Sequence, residues 1–174
     1  MENNSINIKV LGGLIVLLML VFGSFIVMSE YRLAEGEKIF LDTRPVDPRD
    51  LLRGDYVILE YTIESDSQVT TYISENELDA GERVYLVLEK DQDDFGRLAR
   101  ISTSKPKEEL FISAMVLERG WVDIGVDKFF VPEGRGLEIE RLRGGADVLV
   151  SVGSSGSVAI VDVYHEGEKI EFKK

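Results

Sequence analysis

Apolar positions fall into two arrangements along the chain: one unbroken block near the start, then short alternating runs. Residues 10–29 are twenty consecutive positions without a charge. As a helix rising 1.5 Å per residue, such a block spans roughly 30 Å, the hydrocarbon thickness of a bilayer, and predicts a transmembrane helix. The alternative is a cleaved signal peptide. The block is longer than the usual apolar core of about 7–15 residues, and Gly23-Ser24 is a poor small-residue cleavage site. Gly12, Gly13 and Gly23 form no strict G-x-x-x-G pattern, so they add little about helix packing. The positive charges on either side, Lys9 against Arg32 and Lys38, nearly balance. A tail as short as residues 1–9 ahead of a single span is expected to stay in the cytoplasm, which places the rest of the chain outside.

Beyond the block, residues 30–37 read as a polar connector and residues 38–174 as one domain. Lys38-Ile39-Phe40-Leu41-Asp42 predicts a first strand. Asp47 is a good N-cap, Pro48 suits a first helical position, and Asp50 faces the positive end of the helix dipole. This capped turn ends at Gly54, and a strand is expected from there to about Ile63. Val57, Leu59, Tyr61 and Ile63 share one face of it, and Tyr56, Ile58, Glu60 and Thr62 the other. Residues 69–73 are a further β-prone run, and Ser74-Glu75-Asn76-Glu77 has capping-box spacing that predicts a brief helix. Residues 83–89 are apolar on both faces and belong centrally in a sheet. They pair with residues 97–102 across the turn 91–96. Residues 110–118 and 128–131 continue the β pattern, with a helical turn expected at 137–142. Residues 147–152 and 158–164 read as a hairpin through Gly153-Ser154-Ser155-Gly156-Ser157, followed by a last strand near 169–172. The fold class is therefore mainly β with short helical turns, after one N-terminal transmembrane helix.

A weak repeat runs through this order. Ile39-Phe40-Leu41, Leu51-Leu52-Arg53-Gly54 and the strand after them recur about ninety residues later as Phe129-Phe130-Val131, Arg141-Leu142-Arg143-Gly144 and 147–152. If this is a duplication, it implies two similar β lobes; shared turn chemistry is the alternative.

Composition narrows the function. The formal net charge is −12, nearly all of it after the apolar block, so nucleic acid and anionic headgroups are poor partners for the domain. Solubility explains most of that charge; a cationic ligand or basic partner surface is the other use. With no Cys in the chain, disulfides, thiolate nucleophiles and Cys-ligated metals are excluded. Asp91-x-Asp93-Asp94-x-Gly96 starts like a calcium loop, but Phe95 and Ser102 stand where acidic residues are needed, so a hairpin turn is expected. His165 is the sole His and no G-x-S-x-G elbow accompanies it, which leaves a surface histidine rather than a triad member. No metal or cofactor is expected.

Gly54, Asp55, Tyr56, Leu59 and Tyr61 fit position by position the motif of the GDYXXLXY family, which the chain resembles. Phe130-Val131-Pro132-Glu133-Gly134 is similar to a second segment of that group. The resemblance implies a bacterial membrane-anchored protein of unassigned activity, in the manner of companions of multi-spanning membrane proteins. Asp47 and Asp50 have structural uses as cap and first-turn acid, and Asp55 has a comparable one at the corner. Should the motif bind, Asp55, Tyr56 and Tyr61 are the candidates: one anion and two amphipathic rings suited to a partner surface. Tyr56 and Tyr61 point to opposite faces, so at least one belongs to the core.

The expected function is a non-enzymatic extracytoplasmic domain on a single span of the cell membrane, binding another envelope membrane protein. A periplasmic small-ligand-binding module is a second reading. An enzymatic rival is a signal-peptidase-like Ser/Lys membrane protease, suggested by Gly54-Asp55-Tyr56-Val57. In that motif the Ser is followed by Met, whereas Ser29 is followed by Glu30.

Overall fold

The computed structural model of the chain describes residues 8–44, 56–118, 120–130 and 145–170. The expected capped turn at 47–54, the helical turn at 137–142 and residues 131–134 of the second family segment lie outside the described residues. A long helix, α1 (Ile8–Glu35), leads after a single residue into β1 (Glu37–Arg44), so the connector is helical as far as Glu35. None of the described side chains of α1 is buried, and Leu14, Leu17, Met19, Leu20 and Phe22 are among the large apolar ones left exposed. Among the described residues no helix is long and apolar enough to cross a membrane.

The rest of the chain is mainly β. The strands after β1 are β2 (Tyr56–Ile58), β3 (Glu60–Tyr61), β4 (Arg83–Lys90), β5 (Gly96–Ser102), β6 (Phe111–Val116), β7 (Val122–Asp123), β8 (Lys128–Phe130), β9 (Asp147–Val152), β10 (Val158–His165) and β11 (Glu168–Lys169). A five-stranded antiparallel sheet runs β11-β10-β9-β1-β3, a four-stranded one runs β5-β4-β6-β7, and β2 pairs with β8 alone. Ile39, Leu41, Val148 and Val150 from the first sheet and Val84, Leu86, Leu88, Ile112 and Ala114 from the second meet in one buried cluster. At Gly96 the sheets approach closely: an added Cβ would lie 2.7 Å from the Ile39 side chain. Phe40 N–H donates to the Asp94 carbonyl (3.0 Å) beside that point. At the far end Ser113 N–H donates to the Gly156 carbonyl (2.8 Å), fixing the β9–β10 turn against β6. Gly156 has φ +79°, and a Cβ there would meet the Ser113 backbone and the Phe111 ring, so the turn needs glycine.

Three sequence expectations are corrected. The strand from 55 to 63 is broken: β2 and β3 have different partners, and a 3-10 turn (Thr62–Ser65) follows Tyr61. The alternation survives the break, because Leu59, Tyr61 and Ile63 are all buried while Glu60 and Thr62 are exposed. The β-prone run at 69–73 is instead helical, within α2 (Ser67–Glu75). Asp66 caps it by accepting the Gln68 N–H (2.8 Å). Val69 and Ile73, one helical turn apart, both enter the core, and that burial outweighs the β propensity of Val, Thr and Ile. Residues 74–77 are accordingly the end of a helix: Asn76 binds the Tyr72 carbonyl and Glu77 takes φ +50°. Third, the repeat does not produce two similar lobes. The first strand of each copy pairs with the second strand of the other, β1 with β9 and β8 with β2, while the two large sheets differ in size and order.

Other expectations match directly. β4 lies between β5 and β6, and the hairpins β4–β5 and β9–β10 form across the predicted turns.

Candidate functional site

A concavity on the domain opens where the second half of the motif ends. There the chain leaves β3, turns through Thr62–Ser65 and packs beside β7. A cavity of about 240 Å³ is lined there by Leu59, Glu60 and Tyr61 from the motif, Glu64 from the turn, and Leu117, Trp121, Asp123 and Asp127 from the segments around β7, with Arg44 at the end of β1.

Glu64 organises this corner. Its two carboxylate oxygens accept the N–H groups of Tyr61 and Ile124, each at 3.2 Å, so one side chain ties the 3-10 turn to the chain beyond β7. Partial burial raises its affinity for a proton, the two N–H donors oppose that, and Asp123 and Asp127 add repulsion; the outcome is a carboxyl pushed up to about 7. Tyr61 is 1% exposed, and its hydroxyl donates to the Val126 carbonyl (3.2 Å). Burial, with Glu64 and Asp127 nearby, keeps its phenol protonated well above the ordinary range. Around this floor the rim is half apolar and half acidic. Leu117 and Trp121, held by a tight turn in which Leu117 N–H donates to the Trp121 carbonyl (2.8 Å), are 43% and 42% exposed. Asp123 accepts the Gly125 N–H (2.6 Å), and Asp127 faces Lys128 at 3.7 Å. Arg44 lies directly across the β1–β3 pair from Glu60.

Of the motif residues, Gly54 and Asp55 lie outside the described residues. Tyr56 is placed by its backbone, paired with Phe130 on β8. Leu59 and Tyr61 are core residues, 2% and 1% exposed. Tyr61 therefore presents no ring to a partner surface; it supplies the cavity floor. Glu64, Trp121, Asp123 and Asp127 were not singled out from the sequence. The lone Trp, set beside Gly120 in a turn, was the signal that could have drawn attention to this place.

The other sequence candidates resolve into local structure. Asp91 accepts the N–H groups of Phe95 (2.9 Å) and Asp93 (3.0 Å) and pairs with Arg97. The Phe95 N–H in particular holds its carboxyl below the usual range. This is hairpin-turn chemistry. His165 is half-buried rather than on the open surface, with Nδ1 3.1 Å from the Gly145 carbonyl. Ser29 lies on α1.

The fold and site define an antiparallel β domain with a carboxylate-floored cleft, carried behind a long N-terminal helix. The model of the GDYXXLXY protein family matches residues 18–163, and the chain belongs to that family. No curated protein matches the chain, and no solved structure does.

Proposed function

We propose that this is a single-pass membrane-anchored protein of the bacterial cell envelope. Its β domain lies on the extracytoplasmic side and acts without enzymatic chemistry, by binding another envelope membrane protein. The observation that carries the reading is α1. It has 28 residues, about 42 Å of helix, contains a chargeless block of twenty residues at 10–29, and keeps its described apolar side chains out of the core. Such a surface left in water is unfavourable in proportion to its apolar area, and a bilayer or a partner helix relieves that cost. Met115, Leu117 and Trp121 leave apolar side chains exposed on the acidic domain, which suits a protein partner better than an anionic lipid surface.

The small-ligand alternative draws on the cavity. Its 240 Å³ fall below the roughly 300–1,000 Å³ of small-molecule pockets, which favours an inserted side chain. The protease alternative gains nothing from Ser29-Glu30.

The test is fractionation of the full chain expressed in its own host. The reading expects it to stay with membranes through alkaline carbonate and to co-purify in mild detergent with one membrane protein at fixed stoichiometry. Recovery in the soluble fraction, or as a lone species in detergent, overturns it.

A further inference from the structure

We infer that the cleft between the 3-10 turn and β7 is the docking site for a basic side chain, Lys or Arg, carried on an apolar segment of the partner protein. This rests on the assembly reading above and adds to it a place and a chemistry.

Three observations converge. The first is charge. Among the described residues the cleft is lined by four carboxylates, Glu60, Glu64, Asp123 and Asp127, against the single guanidinium of Arg44. Lys128 approaches Asp127 from beside the cleft. Arg44 and Lys128 are spread along the edge, one opposite Glu60 and one beside Asp127. The Lys128–Asp127 pair is exposed on both sides and of little strength, so it leaves the acids open to an incoming cation.

The second observation is shape and polarity. Glu64 beside the Tyr61 floor, with Asp123 and Asp127 sharing the rim with Leu117 and Trp121, matches the two ends of a long basic side chain, whose methylene stem lies against apolar surface while its head pairs with carboxylates. Trp121 adds an aromatic ring to the lining, a group that attracts a guanidinium or ammonium. The volume suits one side chain, as argued above, and the exposed Leu117, Trp121 and Met115 offer the flanking contact that a free cation would not use.

The third is rigidity. Glu64 is fixed by two backbone N–H groups from different elements, and Tyr61 beneath it by its bond to Val126. A carboxylate held in place needs little reorganisation to receive a partner.

Trp121 is the only Trp in the chain, so its emission reports occupancy without labelling. The experiment uses the full chain in detergent micelles. It is titrated with a leucine-rich peptide bearing one central Arg, with the same peptide bearing citrulline, and with free argininamide; none contains Trp. The Arg peptide is expected to shift Trp121 emission saturably, and the citrulline peptide to bind at least about tenfold more weakly. Argininamide should produce no shift at the same concentrations.

Glu64→Gln and, separately, Asp127→Asn should each weaken the Arg peptide several-fold, with melting temperatures recorded alongside. Asp127 is exposed, so its variant remains informative if Glu64→Gln fails to fold. Equal binding of the Arg and citrulline peptides overturns the inference, as does undiminished binding by the folded variants. Tight argininamide binding overturns it in favour of a small-cation site. If the partner co-purifies but the peptides are not discriminated, the cleft inference alone falls. If the peptides are discriminated but no partner co-purifies, the assembly reading alone falls.

Discussion

Glu64→Gln isolates the electrostatic cost of building the cleft. In the folded chain the carboxyl is raised from 4.5 to about 7, burial being the largest cause. Between those values the folded state keeps a proton that the unfolded state has released. Stability from this group is therefore complete below pH 4.5 and falls as the pH rises toward 7. At about 1.4 kcal/mol per pH unit the full penalty is about 3 kcal/mol, an upper bound because the cleft opens to water. Gln is nearly isosteric with the protonated carboxyl, keeps one acceptor and turns an NH₂ toward the second N–H donor. That substitution carries a constant, pH-independent cost of about 1–2 kcal/mol. The variant should therefore be less stable than the parent at pH 5 and equal or more stable at pH 8. At about 2–4 °C per kcal/mol for a chain of this size, the difference in melting temperature should swing by roughly 5–10 °C. Circular dichroism melts of both proteins in the same detergent at several pH values measure this. Comparing the two cancels the titration of the remaining acids, which dominates either curve alone. Parallel curves from pH 5 to pH 8 would refute the reasoning, since they would mean that Glu64 ionises as freely in the fold as in the unfolded chain.

Other outcomes follow from the packing. Leu59→Ala should destabilise by about 2–5 kcal/mol, because Leu59 is 2% exposed in the central cluster. Tyr61→Phe should cost only about 1 kcal/mol, the bond to the Val126 carbonyl; denaturant melts separate the two. Gly96→Ala should cost about 1–3 kcal/mol, because its Cβ falls 2.7 Å from the Ile39 side chain and 3.2 Å from that of Leu88, where the sheets meet. Thr43→Val removes a buried hydroxyl that donates to the Ala146 carbonyl (2.6 Å) and accepts the Ala146 N–H (2.9 Å). It should lower the urea midpoint by the equivalent of about 1–3 kcal/mol with an unchanged slope.

Much of the sheet structure was legible because it rests on period-two alternation. The run around β4, apolar on both faces, reads as a central strand and is one, and the Asp-rich and Ser/Gly turns close the hairpins they suggest. What was illegible depends on partners distant in sequence. Nothing local to residues 55–63 says that β2 will pair with β8 and β3 with β1, so one strand was read where there are two. Val69 and Ile73 fit a strand by propensity. Asp66 as cap, and the i, i+4 spacing of the two apolar residues, were the opposing signals, and burial decided between them. The strand β7 has two residues, too few to show a period. The site was legible only in its floor: Leu59 and Tyr61 belong to the motif, but as core residues. Glu64 acquires its character from Ile124 N–H and from Asp123 and Asp127, some sixty residues away, and that neighbourhood exists only after folding.

The central claim is that this domain meets a membrane protein at the cleft. The most direct test is photo-crosslinking in living cells from position 117 at the rim, with position 104 beyond the end of β5 as control. One recurrent membrane protein should be captured from 117 and not from 104, through a peptide carrying Lys or Arg, and Glu64→Gln should reduce the yield. Equal capture from both positions, or no adduct from 117 in a folded and abundant protein, would contradict it.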